Sequence, residues 1–144
     1  MSTSKQTMTD EYKRISVDVG VLVSNLEASL EFYHDWLGLE VVADLTTSLI
    51  GKGRMVQLRH GESLIKLVEL DEKPAKQISE ELSAALGFRY ITLLLTNIKG
   101  LMERLEQASV ATSIPLTELP NGAMIAMIQD PDGNIVEFVQ EARA

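Results

Sequence analysis

Four ionisable side chains each interrupt an alternating run of apolar residues in this sequence. They are Asp18, Lys66, Tyr90 and Glu137. Because side chains point to alternate faces of a β-strand, we expect each of them to lie on the face away from its apolar neighbours. A carboxylate can act there as a general base, while Lys66 or Tyr90 donates a proton or stabilises an oxyanion. This combination favours enolisation, isomerisation or elimination next to a carbonyl group, without a metal.

Apolar side chains are predicted to surround these ionisable groups, which is typical of a ligand pocket. We expect Leu22, Leu94 and Met127 to contact a small molecule, since methionine can adapt its shape to an apolar ligand. His60, at the end of a strand, is a further candidate for ligand contact. Two other interpretations stay open. The same residues can bind a ligand without catalysis, or the Lys66 ammonium can form a static ion pair within the sheet.

An internal repeat accounts for the matching positions of these groups. The segment DVGVLVSNLEASLEFY, from Asp18, aligns with YITLLLTNIKGLMERL, from Tyr90, about 72 residues further on. The segment SLIKLVE, 63–69, aligns in the same way with NIVEFVQ, 134–140. Such a duplication predicts two copies of one supersecondary unit, with function expected where the copies face each other.

Each copy is predicted to contain one strand, one helix and three further strands. In the first copy the strands are predicted over 14–24, 39–45, 55–60 and 63–70, with the helix ending at Gly38. In the second copy the strands are predicted over 88–96, 112–116, 123–128 and 135–140, with a helix over 98–107. Alternating apolar residues indicate the strands, and a spacing of three to four residues indicates the helices.

The segments around the repeats predict the domain layout. We expect residues 1–13 to form a flexible tail and residues 14–144 to form a single domain. Within this domain, module one spans 14–70, a polar linker spans 71–85 and module two spans 86–140. Two curved modules with open strand edges also favour a homodimer.

Composition limits the possible classes of function. The chain has 144 residues, of which 45% are hydrophobic, and this suffices for one domain with a substantial core. The net charge of -8 argues against nucleic acid or a membrane surface as a partner. Since there is no cysteine, thiolate metal sites and a cysteine nucleophile are excluded. The sequence lacks a signal-peptide or membrane-spanning pattern, so we expect a cytoplasmic protein.

Two segments of the chain resemble the vicinal oxygen chelate superfamily. They are NLEASLEFYHDWLGLEVV, 25–42, and DPDGNIVEFVQ, 130–140, and the resemblance extends over roughly 14–140. This superfamily includes glyoxalase I, methylmalonyl-CoA epimerase, extradiol dioxygenases, fosfomycin-resistance enzymes and bleomycin-binding resistance proteins. The resemblance implies an α+β fold in which two repeated βαβββ modules form a curved mixed sheet cup. It does not imply one reaction, because one fold can host many chemistries.

The resemblance also implies where a divalent metal would be bound. Metal-dependent members take ligands from the first and fourth strands of each module, and these positions correspond here to Asp18, Lys66, Tyr90 and Glu137. Only Glu137 keeps the usual residue type. Lys66 departs most, since a protonated amine has no lone pair and repels a cation. We therefore expect no metal cofactor, although Mg or Mn held by Asp18, Glu137 and waters is an alternative.

These observations together predict a metal-independent lyase or isomerase. Its substrate would be a small oxygenated or carbonyl-bearing metabolite, and its catalytic set would be the four ionisable residues named above. Two alternatives are a small-molecule binding or resistance protein that sequesters an antibiotic-like ligand, and a divalent-metal enzyme with atypical ligands. Neither nucleic acid nor membrane is an expected partner.

Overall fold

The β-α-β-β-β pattern occurs twice in the described chain, which confirms the predicted α+β class. A computed structural model describes residues 16–75 and 82–143. The predicted flexible tail, 1–13, and residues 76–81 of the predicted linker lie outside these ranges. Among the described residues, no helix combines the length and the hydropathy needed to cross a membrane.

The strands and helices lie close to their predicted positions. In chain order the elements are β1 (Val19–Leu22), α1 (Leu26–Leu30) with a π-helical continuation (Glu31–Trp36), β2 (Glu40–Thr47), β3 (Gly53–His60), β4 (Ser63–Leu70), β5 (Tyr90–Leu94), α2 (Ile98–Gln107), β6 (Thr112–Glu118), β7 (Met124–Gln129) and β8 (Ile135–Gln140). Among the described residues, the first strand of each repeat pairs only over Val19–Leu22 and Tyr90–Leu94, which is shorter than its apolar pattern predicted; residues 14 and 15 of the first predicted strand lie outside the described ranges.

Each repeat forms its own four-stranded mixed sheet. The strand orders are β1-β4-β3-β2 and β5-β8-β7-β6. The first strand is parallel to the last in each sheet, and the other neighbours are antiparallel. A helix connects the first strand to the second in each repeat, and hairpins then bring the last strand back beside the first. In each repeat the two predicted site residues therefore come from neighbouring strands, the first and the last.

The structure divides into two compact units that match the two sequence repeats except for one helix. Residues 27–37 form a unit with the chain from residue 74 onward, whereas the rest of the first repeat forms the other unit. The sequence placed this helix in module one, 14–70. Its aromatic side chains Phe32 and Tyr33 are both 1% exposed, and their rings meet edge to face at 4.8 Å. The Tyr33 hydroxyl also donates to Asp130 Oδ2, at 2.7 Å, which links this helix to the rest of the second unit.

The second half of the first helix has a wider turn than the α-helix that the sequence predicted. Over Glu31–Trp36 the backbone is π-helical, and the Leu37 amide donates to the Phe32 carbonyl at 3.0 Å. The helix then ends at Gly38, whose φ of 79° lies in the left-handed region that favours glycine. Isolated π turns of this kind are uncommon and often mark functional or strained segments.

In both helices the first amide donates a hydrogen bond to a side chain from the last strand of the same repeat. The Glu69 carboxylate accepts a hydrogen bond from the Leu26 amide at 3.1 Å, and the Gln140 side chain accepts one from the Ile98 amide at 2.8 Å. Each bond satisfies one of the amides that a helix leaves unpaired at its first turn. The two caps differ in charge. Glu69 carries a carboxylate, whose Oε2 lies 3.2 Å from the Lys73 ammonium, while Gln140 is neutral.

We predict that acid weakens the first of these caps but not the second. The Leu26 amide, together with the Lys73 ammonium, holds the pKa of Glu69 below its usual value of 4.5 against the effect of desolvation. The cap therefore contributes its full stabilisation above that value, and this is lost as pH falls through the lower pKa of the folded state. Hydrogen-exchange protection of the Leu26 amide should fall with acid, while that of the Ile98 amide should change much less.

The neutral variant Glu69→Gln is the matched control, because it gives the first helix the same capping side chain as the second. Its Leu26 amide should lose the acid dependence and retain protection at neutral pH. Equal acid sensitivity of the Leu26 amide in both proteins would contradict a role for the Glu69 carboxylate.

Candidate functional site

In the first unit the site is built around Lys66, near the middle of β4. Lys66 pairs with Gly20 on the parallel strand β1 and with Gln57 on the antiparallel strand β3. Its neighbours Ile65 and Leu67 are buried on the other face, while Lys66 itself is half-buried. The register thus confirms the predicted face for Lys66. Leu22 pairs with Val68 two positions along and shares this face.

Asp18 has a structural contact that the sequence did not reveal. It lies just before β1, and its Oδ1 accepts a hydrogen bond from the Leu64 amide at 2.8 Å. This bond adds one link between the chain and β4 immediately before the backbone pairing starts at Val19. The contact gives the Asp18 carboxylate a structural role at the start of β1.

In the second unit the site is built around Glu137, near the middle of β8. Glu137 pairs with Thr92 on β5 and with Met127 on β7. The Thr92 hydroxyl donates to Glu137 Oε1 at 2.7 Å, and this solvent-exposed contact favours one orientation of the carboxylate. Met127 is only 8% exposed and presents an apolar side chain on the same face. Glu137, like Lys66, is half-buried with buried residues on either side of it in the strand.

Sequence reasoning did not find Thr92. Thr92 is the residue of the second repeat that corresponds to Gly20, and the register of the structure pairs Gly20 with Lys66 and Thr92 with Glu137. The residue beside the ionisable group therefore differs between the repeats. One copy has no side chain there, and the other has a hydroxyl that engages the ionisable group.

Tyr90 and Leu94 lie on the same strand and the same face as Thr92. Tyr90 is the first residue of β5, where it pairs with Ile135, and its side chain is 50% exposed. Leu94 pairs with Val139 and is 58% exposed. In the second unit the structure thus brings a phenol, a carboxylate and apolar side chains to one face of one sheet.

His60 does not share a face with the other predicted residues of its sheet. It pairs with Ser63 at the hairpin end of β3, and its strand neighbour Leu58 belongs to the buried face. Because alternate residues share a face, His60 lies on the side of Leu58 and away from Gln57 and Lys66. Strand parity could have predicted this. His60 is therefore not positioned to contact a ligand beside Lys66.

The Lys66 ammonium forms no ion pair with a described residue of its own unit. Arg54 pairs with Asp44, at 2.7 Å, and Lys73 pairs with Glu69, at 3.2 Å. The alternative of a static ion pair at Lys66 thus has no partner among the described residues of the first unit. An unpaired ammonium on a sheet face is instead a potential ligand contact.

The side chains at the four ligand positions do not fit the divalent metal that the vicinal oxygen chelate resemblance implies. In the described ranges, no group of three or more His, Asp or Glu side chains lies close enough together to hold a metal ion. Lys66 can only donate hydrogen bonds while it is protonated. Asp18 Oδ1 is already bonded to a backbone amide. We therefore derive no chemical step from a metal.

A buried hydrogen bond fixes the turn that precedes β8 and Glu137. The Tyr33 hydroxyl donates to Asp130 Oδ2 at 2.7 Å, and Asn134 Nδ2 donates to the same oxygen at 3.0 Å. Asp130 Oδ1 accepts from the backbone amides of Asp132, at 2.9 Å, and Asn134, at 2.8 Å. Burial and the nearby Asp130 carboxylate raise the pKa of Tyr33 well above its usual value, so the phenol stays a donor at neutral pH.

We predict that Tyr33→Phe destabilises the protein by about 1–3 kcal/mol, because the buried Asp130 carboxylate loses one donor. Urea unfolding followed by circular dichroism measures this change. Tyr90→Phe is the matched control, since it removes a hydroxyl from a half-exposed side chain. Its free energy of unfolding should stay within about 0.5 kcal/mol of the natural protein. Equal stability of the two variants would contradict the anchoring role of Tyr33.

Comparison with known proteins identifies the family. The sequence model of the Glyoxalase/Bleomycin resistance protein/Dioxygenase superfamily matches residues 16–138, which is most of the chain. The chain belongs to this superfamily. The sheet topology described above agrees with that membership, and the resemblance seen in the sequence is confirmed.

Individual proteins match about nine-tenths of the chain. The uncharacterised protein YwbC of Bacillus subtilis is 28% identical over 137 residues, which are 89% of this chain and 98% of YwbC. The antibiotic-binding protein TnmS3 of Streptomyces sp. CB03234 is 25% identical, with a TM-score of 0.64 over 91% of this chain and 99% of TnmS3. Glyoxalase I of Leishmania major is 21% identical, with a TM-score of 0.69 over 90% of this chain and 88% of the enzyme.

Proposed function

We propose that this superfamily member is a metal-independent lyase or isomerase that acts on a small oxygenated or carbonyl-bearing metabolite. The observation that carries the proposal is the 2.7 Å hydrogen bond from the Thr92 hydroxyl to the Glu137 carboxylate. A general base must be held in one orientation to reach its proton, and a short bond to a strand-borne hydroxyl supplies that restraint. Glu137 also lies between the buried residues Val136 and Phe138 in β8, so its backbone position is well fixed.

In the proposed mechanism Glu137 removes the proton from the carbon next to the substrate carbonyl. Its Oε1 is held by Thr92, and no other hydrogen bond among the described residues engages this carboxylate, so Oε2 is available to the substrate. Tyr90, which lies on the same sheet face as Glu137, then donates a proton to the developing oxyanion or stabilises it as a hydrogen-bond donor.

A second candidate function is binding without catalysis. TnmS3, which is 25% identical over nearly the whole chain, is an antibiotic-binding protein. The exposed side chains of Leu22 and Leu94 could contact an apolar ligand in the same way that they would contact a substrate. In this alternative the protein would sequester a small molecule, and replacement of Glu137 would affect affinity alone. The expected assembly in both cases is a homodimer, and the expected location is the cytoplasm.

The reaction class can be tested before the substrate is known. An enolising base exchanges the hydrogen next to a carbonyl for deuterium, and proton NMR in D₂O detects this exchange in a panel of small aldehydes, ketones and 2-oxo acids. We predict exchange with the natural protein and a loss of about 10²–10⁴-fold in Glu137→Gln, which is the usual contribution of a general base. Thr92→Val should lose part of the rate and Thr92→Ser should retain it.

The two functions give opposite results in this assay. Saturable binding of a panel compound without exchange, in the natural protein and in Glu137→Gln alike, would support the binding protein and contradict the enzyme. Equal rates in Thr92→Val and the natural protein would contradict the positioning role of Thr92, because its hydroxyl would then be dispensable.

We also predict that the purified protein needs no transition metal. Elemental analysis should give far less than one equivalent of Zn, Ni, Fe or Mn per chain, and any exchange activity should survive dialysis against a chelator. The physical reason is the ammonium at position 66, which repels a cation and offers it no lone pair. About one equivalent of metal that is lost in Glu137→Gln would overturn this part of the proposal.

A further inference from the structure

Gln129 is a polar residue of the second sheet that the proposed mechanism does not use. It is the last residue of β7 and pairs with Ile135 on β8, which in turn pairs with Tyr90 on β5. Because paired residues share a face, Gln129 and Tyr90 flank Ile135 on the face that carries Glu137. With neighbouring strands about 4.8 Å apart, the α-carbons of Tyr90 and Gln129 are about 10 Å apart. The proposed base, Glu137, lies two residues beyond Ile135 in β8.

A β-bulge in the edge strand β6 orients the Gln129 side chain. The register of β6 against β7 shifts between Thr112 and Ile114, so Ser113 is the extra residue of the bulge. Bulges re-aim side chains and are frequent at sheet edges and next to active sites. Here the Ser113 hydroxyl accepts a solvent-exposed hydrogen bond from Gln129 Nε2 at 3.2 Å, which favours one orientation of this side chain. The backbone amide of Gln129 donates to the Ala111 carbonyl at 2.9 Å, so its main chain is fixed to the same segment.

The side-chain amide of Gln129 keeps most of its hydrogen-bonding capacity. It has two N–H donors and one carbonyl acceptor, and among the described residues only the bond to Ser113 engages it. One N–H donor and the carbonyl oxygen are therefore available to a ligand. A hydroxyl group is the matching partner, because it also donates and accepts hydrogen bonds.

The charges of this sheet favour an uncharged ligand. Its four strands contain no Lys, Arg or His, while Glu137 presents a carboxylate on the face that Gln129 shares. An anionic ligand would therefore meet a like charge, with no basic residue of these strands to balance it. A neutral molecule with more than one oxygen atom avoids this repulsion and still offers partners to Tyr90 and Gln129.

We infer that Gln129 selects the substrate of the proposed reaction by binding a hydroxyl group next to the substrate carbonyl. The substrate is then a neutral hydroxyaldehyde or hydroxyketone. Tyr90 binds its carbonyl oxygen, Glu137 removes the proton from the carbon next to the carbonyl, and Gln129 binds its hydroxyl. All three residues belong to one sheet of one unit. The inference rests on the proposed function and narrows its substrate class.

The test uses two ketones of equal size. Hydroxyacetone and butanone have the same number of non-hydrogen atoms, and only hydroxyacetone carries a hydroxyl. Their deuterium exchange is measured by proton NMR in D₂O with the natural protein and with Gln129→Met, which keeps the chain length and removes the amide. We expect the ratio of the hydroxyacetone rate to the butanone rate to fall about five- to tenfold in Gln129→Met, as for the loss of one hydrogen bond. An unchanged ratio would overturn the inference.

Further variants separate substrate binding from a structural role. Gln107→Met makes the same change at an exposed position at the end of α2 and should leave both rates unchanged. Ser113→Ala removes the hydroxyl that orients Gln129 and should lower the ratio about two- to threefold, whereas Ser113→Thr keeps a hydroxyl and should retain the ratio. An equal loss of both rates in Gln129→Met would indicate a structural role for Gln129 and would contradict the inference.

Binding is measured separately from turnover. The side-chain amide of Gln129 gives its own signals in a ¹⁵N-correlated NMR spectrum, and their loss in Gln129→Met assigns them. We expect hydroxyacetone to shift these signals in a saturable way and butanone to leave them unmoved. Such binding without exchange would contradict the proposed enzyme alone. Exchange of both ketones with the same ratio in Gln129→Met would contradict this inference alone, and unmoved signals without exchange would contradict both.

Discussion

The hydrogen bond between Tyr33 and Asp130 is the interaction on which the second unit depends. It joins a residue of the first repeat to a residue 97 positions later, and both side chains are buried. The Asp130 carboxylate also organises its own turn through the amides of Asp132 and Asn134. Because β8 starts directly after this turn, the position of Glu137 follows from it. A buried carboxylate is stable only when its oxygens receive donors, and here each oxygen receives two.

The two repeats have kept one architecture and acquired different chemistry. Both use the last strand to cap the helix, through Glu69 in one and Gln140 in the other. Both place one ionisable residue near the middle of that strand. The ionisable residue is Lys66 in one repeat and Glu137 in the other, and the residue beside it on the first strand is Gly20 or Thr92. Only the second repeat therefore has a side chain there that binds the ionisable group.

Most of the fold could be predicted from the sequence, because the strand and helix patterns are local and occur in both copies of the repeat. The helix over 98–107 and the strand over 135–140 have the predicted bounds. Strand parity gave the faces of Lys66 and Glu137 correctly. It could not give the contacts of Asp18 with the Leu64 amide or of Thr92 with Glu137, because these depend on strand register, which the apolar pattern alone does not fix.

The position of the first helix determines where the chain could be cut into separately folding pieces. Its buried aromatic pair, Phe32 and Tyr33, needs the sheet formed by residues encoded about a hundred codons later. A ribosome must therefore complete almost the entire chain before this helix reaches its final surroundings, and such long-range closure slows folding. The first repeat expressed alone would leave Tyr33 without its Asp130 partner, so the boundary between the sequence repeats is not a boundary at which the folded protein can be cut.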